Sequence, residues 1–119
     1  MKNSFTKKIY RARELFQSGA LQDAVFVSKE AITAIRSVQK TLSSSETKIS
    51  ASQLNNLVGE SYYIMGSSFL LMGKESRALA SFILSAKFLD DPQKSTCEIG
   101  KLSGKSKLFW IFIWLAVEM

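Results

Sequence analysis

Apolar side chains recur at steps of three and four along most of this chain, a period that belongs to the α-helix. Phe5, Ile9, Ala12 and Phe16 form one stripe, and Leu21, Ala24, Val25, Ser28, Ala31, Ile32, Ile35 and Val38 form a second after the break at Ser18-Gly19. Leu54, Leu57, Val58, Ser61, Tyr62, Met65 and Phe69 resume the pattern. Gly73 interrupts it, and Ala78, Leu79, Phe82, Ile83, Ala86 and Leu89 follow. The long segments are rich in Ala, Leu, Lys, Glu and Ser, with one proline and six glycines in all. That mixture favours helix over strand. The expected fold class is all-α.

The breaks divide the chain. With 119 residues, 46% of them hydrophobic, residues 1–119 suit one helical domain, a fragment of a larger protein or its N-terminal part. The first hairpin is expected over 5–40, a flexible inserted loop over 41–53 and a second hairpin over 54–92. The connection at Ser18-Gly19 is short enough to force antiparallel packing. The loop assignment rests on Ser43-Ser44-Ser45 and the scarcity of apolar residues around them. Gly73 can take the left-handed conformation that turns the chain back. Gly66, inside a helix, is expected to admit close approach of the neighbouring helix at Ala78, with Ala86 serving the same end. Tyr62 and Phe69 are both expected to be buried. Asp90-Asp91-Pro92 ends the fourth helix, because proline disfavours helical geometry in the residue before it.

Beyond Pro92 the polar stretch 93–107 reads as a loop. The run LFWIFIWLAV, Leu108 to Val117, is apolar on all sides. It falls well short of the ~20 residues of a membrane span, so a further helix over 105–118, covered by protein, is expected. Phe109, Trp110, Phe112 and Trp114 are its candidate self-association or partner contacts.

Several functions are disfavoured. The chain has no histidine and one cysteine, Cys97, which leaves no metal cluster and no nucleophile-base pair. Gly66 and Gly73 lack the Lys-Ser/Thr ending of a phosphate loop. Neither catalytic, cofactor-binding nor metal-binding residues are expected, and an enzyme is not. A lone cysteine and no secretory signal point to an intracellular protein of cytoplasm or nucleus. The net charge of +6 falls mainly on the N-terminal third, where Lys8, Arg11 and Arg13 could meet an acidic partner. The aromatics lie on the apolar stripes instead of among these cations, so no nucleic-acid partner is expected. No small-molecule substrate is expected either.

The second hairpin resembles the tetratricopeptide repeat, a helix-turn-helix unit of about 34 residues. Tyr62, Met65, Gly66 and Phe69 stand at its first-helix positions, Gly73 at the turn, and Ala78 and Phe82 in its second helix. The next small position falls on Ser85, with Ala86 beside it, and Pro92 comes two residues late. The first hairpin matches through Ala12, Leu15, Gly19, Ala24 and Ala31, with Ser28 in place of an aromatic and Arg36 in place of proline. The resemblance implies hairpins stacked as a short right-handed α-solenoid, the apolar helix beginning a third repeat, and a scaffold that binds proteins. Members that hold a terminal carboxylate use asparagine where Arg13 and Ile64 stand here, so a co-chaperone without that clamp is one alternative. "LQDAVFVSKEAI", the polar insertion, the second hairpin and "KSKLFWIFIWLA" also resemble, in order, the N-terminal segments of tetratricopeptide subunits of the anaphase-promoting complex. That likeness implies a homodimerising part of a ubiquitin ligase in cell-cycle control. A membrane-associated adaptor resembling fission proteins is a further alternative, although such proteins carry a longer span and a basic tail.

Overall fold

The computed structural model describes residues 4–41 and 51–102 and is all-α, with five helices and no strand among the described residues. They are α1 (Ser4–Gln17), α2 (Leu21–Thr41), α3 (Ala51–Leu71), α4 (Glu75–Phe88) and α5 (Gln93–Leu102). Each packs on its neighbour in the chain, and α1 also touches α3.

Two turns share one construction. At the end of α1, Gly19 takes φ 91. Its N–H donates to the Phe16 carbonyl, while the Ala20 N–H donates to that of Leu15. At the end of α3, Gly73 takes φ 79. Its N–H donates to Leu70 and that of Lys74 to Phe69. Both are Schellman endings, in which a left-handed residue without a Cβ lets two otherwise orphaned carbonyls be satisfied. The next helix starts at once in each case, with Ala20 and Lys74 accepting from Ala24 and Ala78.

The stripes build two joined cores. Phe5, Ile9 and Ala12 of α1 meet Ala24, Ala31 and Ile35 of α2, and α3 adds Leu54, Val58 and Ile64. Met65 and Phe69 of α3 meet Ala78, Phe82, Ile83 and Ala86 of α4, together with Val25 and Ile32 of α2 and Ile99 of α5. Helix α2 therefore serves both clusters. Ser28, on its buried face, is fully enclosed, and its Oγ has no hydrogen-bond partner among the described residues.

Four expectations need correction. Stretch 41–53 is not all loop: Thr41 belongs to α2 and Ala51 to Gln53 to α3. Polar but helix-compatible residues continue the helices there, and Gln39 Nε2 donates to Asn55 Oδ1 at 2.9 Å to tie them together. Residues 42–50 lie outside the described set. Stretch 93–107 contains α5, whose fully buried face is only Ser95 and Ile99, too narrow a seam to register as an apolar stripe. Pro92 stops α4 and also opens α5, its carbonyl accepting from the Thr96 N–H; a fixed φ suits the first turn of a helix. A Cβ at Gly66 would meet the Phe82 ring at 2.9 Å, so Phe82, not Ala78, is its close contact. Phe69 is buried as expected, but Tyr62 is only half-buried, stacked on Phe88 with ring centroids 6.2 Å apart.

A second close approach carried no signal in the apolar stripes. A Cβ at Gly59 would lie 2.7 Å from Leu89 Cγ and 2.8 Å from the Leu89 backbone nitrogen. Leu89 leaves α4 in extended geometry and lies over α3 there. Gly59 lets the chain cross α3 on its way to α5.

Candidate interaction face

Helices α1, α3 and α5 present a shared polar face whose centre is a row on α3: Asn56, Glu60, Tyr63, Ser67 and Leu70, all half-buried. Steps of four and three keep these residues on one side of the helix.

Glu60 joins three helices. Arg13 Nη2 of α1 lies 3.2 Å from Glu60 Oε1, and Lys94 Nζ of α5 lies 3.1 Å from both carboxylate oxygens. The same ammonium stands 4.5 Å over the centroid of the Tyr63 ring, a cation–π arrangement. Phe82 supports that ring from inside at 5.5 Å with a 59° tilt. Tyr63 holds its proton above the usual value of 10.0: burial disfavours the phenolate, and the Glu98 and Glu60 carboxylates add to this against the Ser67 hydrogen bond and Lys101.

Beside this row lies an open depression of about 650 Å³, lined in part by Asn56, Glu60, Leu89, Lys94 and Cys97. Buried hydroxyls join α3, α4 and α5 nearby. Ser85 Oγ lies 2.8 Å from the Gly59 carbonyl and 2.8 Å from Ser95 Oγ. A serine has one proton to give, so Ser85 donates to Gly59 and Ser95 donates to Ser85. Asn56 Oδ1 accepts from the Asp90 N–H at 3.0 Å, which holds the start of α5 to α3.

Of the basic residues singled out in the sequence, Arg13 is committed to Glu60 and Lys8 lies 3.7 Å from Glu30, while Arg11 is exposed. Ala12, Ala24, Ala31, Met65, Phe69, Ala78, Phe82 and Ala86 lie in the core clusters. Gly19 and Gly73 are at the turns. Ile64, the second carboxylate-clamp position, is buried. Phe109, Trp110, Phe112 and Trp114 lie outside the described residues. Tyr63, Glu60 and Lys94 escaped sequence reasoning. Tyr63 was hidden by Tyr62 beside it, and the spacing of Glu60 on Tyr63 was the one available clue. Tyr10, Phe26 and Leu71 are large exposed apolar side chains that the stripes leave out.

Among the described residues no group of three or more His, Cys, Asp or Glu side chains could hold a metal ion. The chain matches no family model, no curated protein and no solved structure.

Proposed function

We infer that the chain is a non-catalytic protein–protein interaction module of tetratricopeptide type that associates with a second copy of itself. The observation that supports this best is the repetition of one unit: helix, glycine-closed Schellman turn at Gly19 or Gly73, helix. Like units added side by side build an extended surface, and the face around Tyr63 is such a surface. Its mixed charges and tyrosine suit a peptide or helix of another protein. Neither a cofactor nor a nucleic acid nor a small-molecule substrate enters the reading.

Self-association is assigned to Phe109, Trp110, Phe112 and Trp114, large aromatics that would form a sticky patch in water. A two-fold dimer is the default closed arrangement. The finer reading, an N-terminal dimerisation part of a scaffold subunit of the anaphase-promoting ubiquitin ligase, rests on the sequence resemblance alone. Co-purification of the tagged chain with that complex tests it. The membrane adaptor is the second reading: no helix among the described residues is long and apolar enough to cross a membrane, so it depends wholly on the run Leu108 to Val117. A co-chaperone role would have to work without Ile64, whose buried side chain offers no donor to a carboxylate.

Sedimentation equilibrium of the full chain at low and high salt is the test of self-association. A dimer that persists at high salt is expected, since apolar contacts are not screened. A monomer at micromolar concentration ends the proposal.

A further inference from the structure

Among the described residues, ion pairs engage cations of α1 and α5 and none of α2 or α4. Arg13 and Lys94 converge on Glu60, Lys8 lies on Glu30 and Lys101 on Glu98. Lys29, Arg36 and Lys40 of α2 and Lys87 of α4 are exposed and enter none of these pairs.

The three cations of α2 stand in a row. Gln22, Phe26, Lys29, Thr33, Arg36 and Lys40 recur at steps of four and three, and all six are exposed. At 1.5 Å per residue they make one outward row of about 27 Å. It contains no carboxylate, and Glu30, beside it in the chain, lies 3.7 Å from Lys8. Phe26, 60% exposed, is its one large apolar side chain.

Arg36 is held in this row from beneath. Its guanidinium stands over the Phe88 ring of α4, 5.5 Å from the centroid, and Phe88 in turn stacks on Tyr62 of α3. A cation placed over an aromatic ring has already lost part of its freedom, which lowers the cost of binding. Arginine in that position keeps a planar N–H fork that a carboxylate can accept from with both oxygens.

We propose that this row docks an acidic amphipathic helix of a partner protein. Carboxylates of that helix, at steps of three and four, lie along Lys29, Arg36 and Lys40; Arg36 grips one of them through its fork, and an apolar side chain rests on Phe26. Charge complementarity selects the partner, because the row is positive throughout and no carboxylate of the described residues meets it. Its straightness selects the shape: cations in a line at helical period are matched by a second rod bearing acids at the same period, whereas a lipid surface offers a plane. The inference goes beyond the self-association reading, since the row lies on α2 and uses nothing outside the described residues.

The probe is a fluorescently labelled synthetic helix of Glu, Ala and Leu, with Glu at steps of three and four on one face and Leu at the end of that face. Anisotropy with the full chain reads its binding. A twin with Gln for every Glu is expected not to bind. Arg36→Gln and Arg36→Lys are each expected to weaken binding of the Glu helix about tenfold, because lysine keeps the charge but not the fork. Lys7→Gln, which removes an exposed cation of α1, is expected to leave it nearly unchanged. An equal loss in Lys7→Gln, or full binding by either Arg36 variant, overturns the proposal.

Arg36→Gln also gives up the contact with Phe88, so the double variant Lys29→Gln, Lys40→Gln serves as a second probe of the row. Its circular dichroism is expected to match wild type while its binding falls. Unreduced binding by this folded variant overturns the proposal. Carbodiimide, which joins a carboxylate to an amine touching it, is expected to link the Glu helix to Lys29, Lys40 or Lys87. Links confined to Lys7, Lys94 or Lys101 overturn the proposal. Failure of the wild-type chain to bind the Glu helix overturns it as well, whether or not the chain binds vesicles of anionic lipid.

Discussion

At the scale of single residues, the two glycines of α3 differ in what surrounds them. Alanine in place of glycine favours a helix by about 1 kcal/mol, but at Gly59 the new methyl meets the Leu89 backbone nitrogen. That nitrogen cannot retreat cheaply, because it is bonded to the Ser85 carbonyl and the next residue to Asn56. Gly59→Ala is expected to lose about 1–3 kcal/mol by overpacking, read by urea denaturation, and more than Gly66→Ala, where only the Phe82 ring must shift. Equal stability of Gly59→Ala and wild type would sink this account. The serines give a second ordering. Ser85→Ala leaves the buried Ser95 hydroxyl without an acceptor, at about 1–3 kcal/mol, whereas Ser95→Ala removes a bond worth about 0.5–1.5 kcal/mol and orphans no donor. The reverse ranking would show that the proton runs the other way. Tyr63 adds a pH dependence. Its folded pKa is raised above 10.0, so the neutral form is favoured by folding; that stability is fully present below pH 10 and is lost as pH rises through the folded value. The difference in unfolding free energy between wild type and Tyr63→Phe should therefore shrink above pH 10, and a constant difference would refute the shift.

At the scale of elements, α5 shows how a helix with a slight apolar seam is held. Ile99 enters the core, and the rest of the attachment is polar: the serine pair, Asn56 on Asp90, and Lys94 on Glu60 and Tyr63. Glu60 is the shared anion, since Arg13 and Lys94 both converge on it. The two cations are substantially exposed, so each pair is worth only about 0–1 kcal/mol. Glu60→Gln is expected to cost about 1 kcal/mol in low salt and less as salt is added, and circular dichroism melts at two ionic strengths would measure it. A salt-independent loss would mean that Glu60 acts through packing. Helices α1 to α4 were legible in the sequence because each puts four or more apolar residues on one stripe. Helix α5 was not, because its fully buried side chains are one isoleucine and one serine, and a serine in a core is indistinguishable from one in a loop until its partner is known. The interaction face was illegible for a related reason: Arg13, Glu60 and Lys94 are far apart in the chain, and no local spacing links them.

At the scale of the whole molecule, the proposed dimer depends on aromatic area. A large aromatic buried across an interface contributes about 2–3 kcal/mol, and about 1.4 kcal/mol is a tenfold change in dissociation constant. Serine substitutions made one at a time at Phe109, Trp110, Phe112 and Trp114 should include at least one that weakens the dimer tenfold or more, whereas raising the salt should change it less. If all four leave the dissociation constant unaltered, the interface lies elsewhere, and exposed Tyr10, Phe26 and Leu71 are the next side chains to vary.

The sequence by itself determined the all-α class, the positions of the four amphipathic helices and the two turns, because helical period and left-handed glycine are local properties of a few consecutive residues. The crossing of Leu89 over Gly59, the seat of Phe82 on Gly66, the helix at 93–102 and the meeting of Arg13 and Lys94 on Glu60 were decided only by the tertiary structure. Each depends on how closely and at what angle two helices approach, and that is set by the packing of all the side chains between them.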